Sequence, residues 1–112
     1  MKVSFSKRTS SLDDGTREDI LSRIYFALSR YSPRIDEVTV QIGEFVAARA
    51  GTQRLCRLSV RMKRIGSFAI ESVEHEVKTA VSRAADCAAK RVQRILDRQR
   101  DETRRAKRKK ER

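Results

Sequence analysis

The sequence predicts an α+β fold of order β-α-β-β-β-α, with two helices packed on one face of a four-stranded sheet. Three observations predict it. Four short stretches alternate apolar and polar residues, which is the period of half-buried strands. Two longer stretches repeat apolar residues every three or four positions, which is the period of amphipathic helices. Each strand therefore has one apolar side and each helix one apolar stripe. Two helices laid on one side of a sheet bury all of these together, and the second sheet face stays in water.

The elements follow in chain order. Residues 2–6 alternate, with Val3 and Phe5 on one side of a short strand. Asp13 or Asp14 is placed to cap the first helix, because a carboxylate can accept its orphan backbone N–H groups. Ile20, Ile24, Leu28 and Tyr31 form that helix's stripe, widened by Leu21, Tyr25 and Ala27, and Ser32-Pro33 is expected to stop it. Residues 37–43 are a second strand with Val38, Val40 and Ile42 inward. Residues 44–53 lose the alternation and carry Gly51, which reads as a hairpin loop. Residues 55–63 alternate most cleanly: Cys56, Leu58, Val60 and Met62 face one way, and Arg57, Ser59, Arg61 and Lys63 the other. Ile65-Gly66 turns the chain, and residues 67–72 form the last strand, with Phe68 and Ile70 inward.

The second helix, over 74–98, organises the chain. Val77, Val81, Ala84, Ala85, Ala88, Val92, Ile95 and Leu96 make a narrow stripe rich in alanine, suited to lying close on a flat sheet. At about 100° per residue, Arg83, Lys90 and Arg94 point away from the stripe, with Arg91 and Arg98 beside them. The sequence thus divides into a domain over 1–98 and a basic C-terminal tail over 99–112. That tail has no apolar stripe and either prolongs the helix into solvent or is disordered.

With 112 residues the chain has room for one modest core. No apolar run is long enough to span a bilayer, and the first residues lack the apolar segment of a signal peptide, so the expected location is cytoplasmic. Cys56 and Cys87 have neither metal-ligand spacing nor a histidine cluster, and in the cytoplasm they would not pair. Cys56 reads as a core residue and Cys87 as an accessible thiol. No metal, cofactor or small-molecule substrate is implied. The one histidine, His75, reads as a local hydrogen-bonding residue, and no nucleophile elbow or phosphate-binding glycine pattern occurs. The protein is not expected to be an enzyme.

Charge is the strongest functional signal. The net charge is +12, and it is unevenly placed. Residues 1–50 hold eight Lys/Arg against seven Asp/Glu, whereas residues 51–112 hold nineteen against eight. A charged face is usually only a solvated face, but so uneven an excess suggests an anionic partner. An acidic membrane is disfavoured, because the apolar helix face is rich in alanine and lacks Trp or Phe. RNA fits better, met mainly through its phosphates and shape, since few aromatics are expected to be exposed for base stacking. Two surfaces are candidates. One is the second helix, with Arg83, Lys90, Arg91, Arg94 and Arg98. The other is the open sheet face, with Arg57, Arg61 and Lys63.

The strand Val38-Thr39-Val40-Gln41-Ile42, the junction Glu74-His75-Glu76 and the closing helix from Ala84-Ala85-Asp86 to Lys90-Arg91-Val92-Gln93-Arg94-Ile95-Leu96 resemble, in that order, the ribosome hibernation-promoting factor and ribosome-associated inhibitor family, also called sigma-54 modulation proteins. The resemblance covers residues 1–98. It implies a short, non-enzymatic member that binds ribosomal RNA of the small subunit near the decoding channel and blocks mRNA and tRNA. It places contacts on Lys90, Arg91, Arg94 and Arg98 and on Arg23 and Arg30 of the first helix. The chain departs from the family pattern at Ala80-Val81-Ser82-Arg83 and in the loop Ser6-Lys7-Arg8-Thr9, as a divergent member would. It ends in a basic tail where long members carry a dimerisation domain, and a monomer is the default expectation. A general double-stranded RNA-binding module, whose α-β-β-β-α order is related, is the alternative.

Overall fold

The computed structural model describes residues 1–110. Strand β1 (Lys2–Phe5) leads through a loop to helix α1 (Asp14–Leu28), which narrows into a 3₁₀ helix over Ser29–Arg34. Strands β2 (Ile35–Ala47), β3 (Gly51–Met62) and β4 (Gly66–Glu74) follow, and helix α2 (Val77–Lys110) ends the described chain. The four strands lie in chain order, β1-β2-β3-β4. β1 pairs with β2 in parallel, which requires a crossover that α1 supplies. The β2–β3 and β3–β4 pairs are antiparallel. The predicted α+β order and the placing of both helices on one sheet face are found.

The core lies between that face and the helices. Val38, Val40 and Ile42 of β2 and Cys56, Leu58, Val60 and Met62 of β3 are buried there beneath Ile20, Ile24 and Leu28 of α1. α2 contributes Ala80, Ala84, Ala85 and Ala88, each buried, together with Val81 and Val92. It lies over β3 and β4 and against α1. Alanine brings the helix backbone close to the strands at no side-chain entropy cost.

Four local expectations are corrected. Residues 44–53 are mostly strand, not loop. β2 runs on to Ala47 and β3 starts at Gly51, so that only residues 48–50 turn. This end of the hairpin lies beyond the helices, with Glu44, Phe45 and Val46 exposed, so an alternation set by a single buried face no longer marks the strand. Gly51, at φ 74°, supplies the left-handed turn residue. The α-helix ends at Leu28, before Ser32-Pro33, and Pro33 sits inside the 3₁₀ segment, where its fixed φ is tolerated. Asp13 is the N-cap residue by position, with extended backbone, yet it makes no side-chain capping bond to the backbone. Instead its carboxylate accepts the Thr16 hydroxyl, which holds its pKa below the usual carboxylate value. Tyr25 does not widen the buried stripe, being 44% exposed.

The segment 99–110 continues α2 without a break. Residues 100–109 are all exposed, so this part of the helix is an arm outside the core, and residues 111–112 of the expected tail lie outside the described residues. The arm is the main reason the longest dimension reaches 61 Å against 30 and 21 Å for the others.

The close seating of α2 gives a direct test. Ala88→Leu forces three extra carbon atoms into a fully buried contact. It is expected to destabilise the fold by about 1–3 kcal/mol, read as a lower urea midpoint with an unchanged slope.

Candidate nucleic-acid interface

α1 and α2 lie side by side, and their outer faces enclose a groove of about 880 Å³. Arg23, Phe26 and Arg30 line it from α1 and its 3₁₀ extension, and Lys90 and Arg94 from α2. Helical spacing explains the convergence. Arg23 and Phe26 are three residues apart on α1, off the stripe of Ile20, Ile24 and Leu28, and Arg30 follows four residues later in the 3₁₀ segment. Lys90 and Arg94 are four apart on the outer side of α2. Tyr31 spans the groove through its hydroxyl, which donates to Gln93 Oε1.

Arg23 is the pinned member of this set. Its Nη2 donates to Asp86 Oδ1 at 2.8 Å and its Nε to Ser82 Oγ at 3.3 Å, so α2 holds the guanidinium in place. Its Nη1 is buried and has no hydrogen-bond partner. The guanidinium carbon stands 5.8 Å from the centre of the Phe26 ring. Arg30, Lys90 and Arg94 make no ion pair among the described residues.

The remaining sequence-predicted residues lie elsewhere. Arg91 is on the β4 side of α2, its guanidinium 5.2 Å from the centre of the Phe68 ring. Arg98 is on the same flank, near Arg64 and Ile65 of the β3–β4 turn. Arg83 pairs with Glu74 at 3.0 Å beside the start of α2. On the open sheet face the cations are matched by neighbouring strands. Arg57 pairs with Glu71 at 2.7 Å, and Arg61 with Glu37 at 3.2 Å and Asp36 at 3.9 Å. These pairs follow from the register, which sets Arg57 opposite Glu71 and Arg61 opposite Glu37. Lys63 is not on that face. It begins the turn after β3, where its backbone N–H donates to the Arg34 carbonyl at 3.0 Å.

The expectation of few exposed aromatics is also corrected. Phe26 is 83% exposed and Phe45 45%. Phe26 lies off the apolar stripe of α1, so a reading of the stripe passes over it. Its position, six residues beyond Ile20 and so on the far side of the helix, was the available signal. Arg34, which donates to Gln99 Oε1 at 2.6 Å, and Arg64, a non-glycine residue at φ 63°, add two cations near Arg98 that sequence reading did not single out.

His75 and Cys56 serve the fold. His75 Nδ1 accepts from Gln53 Nε2 at 3.0 Å, and its carbonyl accepts from Arg54 at 2.6 Å, the local role expected of it. Burial pushes the Cys56 thiol up to about 12, whereas Cys87 is exposed.

Neither a family profile nor a curated protein matches the chain. Among solved structures, the crystal structure of the Thermus thermophilus Protein Y N-terminal domain is similar, with a TM-score of 0.59 and 17% sequence identity. The match covers 84% of this chain and 94% of the Protein Y domain. The two share a fold. This agrees with the resemblance carried by the strand order and the closing helix.

The two thiols give a check on the arrangement. At about pH 8 one thiol per native chain is expected to react with a thiol-specific disulfide reagent, because only the thiolate reacts and Cys56 is both buried and held neutral. Cys87→Ser is expected to abolish the native reaction, and urea to restore one equivalent. Two fast-reacting thiols in the native protein would contradict the buried position of Cys56.

Proposed function

We propose that the protein is a non-enzymatic ribosome-associated factor. It binds ribosomal RNA of the small subunit through the α1–α2 groove and occupies the channel near the decoding centre, so that mRNA and tRNA are excluded. One observation carries the choice of surface. Arg30, Lys90 and Arg94 converge on the groove without carboxylate partners among the described residues, while Arg57 and Arg61 on the sheet are spent on Glu71, Glu37 and Asp36. A phosphate that meets a free cation gains the full interaction, whereas at a paired one it must compete with a carboxylate. The likeness to the Protein Y domain supports the ribosomal assignment, because the resemblance read from sequence implies the same class. Arg91 and Arg98 extend the basic surface along one flank of α2, and the helical arm over 99–110 adds further cations beyond the core. Such a factor works in the cytoplasm, as a monomer and without a cofactor.

Sedimentation through sucrose tests this. The protein is expected to travel with small subunits or whole ribosomes at about 50 mM salt and to leave them steeply towards about 200 mM, because bound counterions are released on association. Replacing Arg30, Lys90 and Arg94 together by Glu is expected to lower affinity by at least about tenfold, with an unchanged circular dichroism spectrum. Replacing Arg57 and Arg61 by Gln is expected to change it by less than about twofold. Preference for free duplex RNA over the small subunit would favour the general double-stranded RNA-binding reading instead.

A further inference from the structure

We infer that Phe26 is a stacking platform for an unpaired RNA base, and that the α1–α2 groove therefore takes a looped or splayed strand, not only the phosphates of a duplex. The inference rests on the groove's proposed role in RNA binding and adds the kind of RNA it accepts.

Phe26 is 83% exposed, the most exposed of the large apolar side chains among the described residues. An aromatic ring left in water on a helix face that is otherwise polar contributes nothing to the core. Its surroundings then indicate a ligand. Arg23 lies against the ring at 5.8 Å from its centre, within the range of a cation–π contact. Arg23 is itself anchored by Asp86 and Ser82, so the contact is held from α2 and does not depend on a mobile side chain. With Arg23 against it and most of its surface in water, the ring can still receive a flat partner. Phe26 also stands where two concavities meet. One is the cationic groove with Arg30, Lys90 and Arg94. The other, about 830 Å³, lies between the N-terminal halves of the helices, where Leu12, Ile20, Val77 and Val81 join Phe26 beside the charged Asp19, Glu76 and Lys78.

This combination matches single-stranded recognition. A base has a π-face that any aromatic ring can stack on, and its flanking phosphates need cations within one or two nucleotides. Regular duplex offers no such face, because its bases are already stacked. A hydrophobic side chain of a protein partner would use Phe26 and the second concavity but would have no use for Arg30, Lys90 and Arg94. The unpaired cations therefore favour a nucleic acid.

The chain has no tryptophan, so Phe26→Trp introduces a single fluorescent reporter at the site. Two probes separate base from backbone: a short oligoriboadenylate and an abasic oligonucleotide of equal length and charge. The emission of the introduced indole is expected to be quenched on adding the oligoriboadenylate and not on adding the abasic strand. Phe26→Ala is expected to weaken binding of the oligoriboadenylate by about tenfold, in line with the loss of one stacked base, and to weaken the abasic strand much less. Quenching by neither probe, equal quenching by both, or equal losses on both would overturn the inference. Sedimentation of the wild-type protein keeps it apart from the broader proposal. Base-dependent quenching without ribosome association leaves the stacking site standing and defeats the ribosomal role. Ribosome association without base-dependent quenching does the reverse.

Discussion

The arrangement depends on how closely α2 sits on the sheet. Ala80, Ala84, Ala85 and Ala88 are all buried, and none carries more than a methyl group. A helix seated on such residues comes nearer to the strands than one carrying leucines would. It leaves α1 room beside it, over the β1–β2 side of the same face. The groove between the helices is a consequence of that packing. Its depth is set where Arg23 reaches across to Asp86 and Ser82, and where Tyr31 reaches Gln93. Larger side chains on the inner face of α2 would lift it and pull these cross-helix bonds apart before any basic residue was touched.

Charge placement follows from two different geometries. In the sheet, the register sets residues of neighbouring strands directly opposite one another, so a strand rich in Arg acquires carboxylate partners if the adjacent strands carry them. β2 and β4 carry Glu37 and Glu71 at those rungs, and the open face neutralises itself. On the helices no such rung exists. Side chains three or four residues apart fan outwards, and the carboxylates nearest the groove are occupied: Asp86 by Arg23, and Asp97 by the Gln93 amide. Arg30, Lys90 and Arg94 are left facing solvent. The basic excess of the later half is therefore not one continuous field. Part of it is internal structure and part is available to a partner.

Much of the fold was legible in the sequence because one-sided burial imposes strict periods. The clean alternation of Cys56, Leu58, Val60 and Met62, and the stripe from Val77 to Leu96, located the buried parts of β3 and α2. Where burial ceased, so did the signal. The far end of the β2–β3 hairpin exposes Glu44, Phe45 and Val46 in succession and buries a polar residue, Gln53, so it has the pattern of a loop, and the arm over 99–110 has no stripe because it covers nothing. The basic residues of the second helix were legible individually, since a helical wheel gives their direction. Their grouping was not. Only the tertiary packing shows that Arg23, Arg30, Lys90 and Arg94 share one groove, that Arg91 and Arg98 lie on the opposite flank, and that Arg57 and Arg61 are already paired. Phe26 escapes a reading of periods for a related reason: it belongs to no buried stripe, and only its outward position on the wheel marks it.

Directed cleavage of RNA from Cys87 tests the central claim most directly. Cys87 is exposed on α2, and Cys56 is buried, so an iron chelate coupled to the native protein attaches at one place, beside the proposed RNA-facing side. On small subunits, hydroxyl radicals from that site are predicted to cut ribosomal RNA in a compact cluster around the decoding channel. A chelate placed on the open sheet face through Ser59→Cys, in a Cys87→Ser background, should give weaker and different cuts. Strong cleavage from Ser59→Cys with none from Cys87 would contradict the account, because the sheet and not the helix pair would then face the RNA.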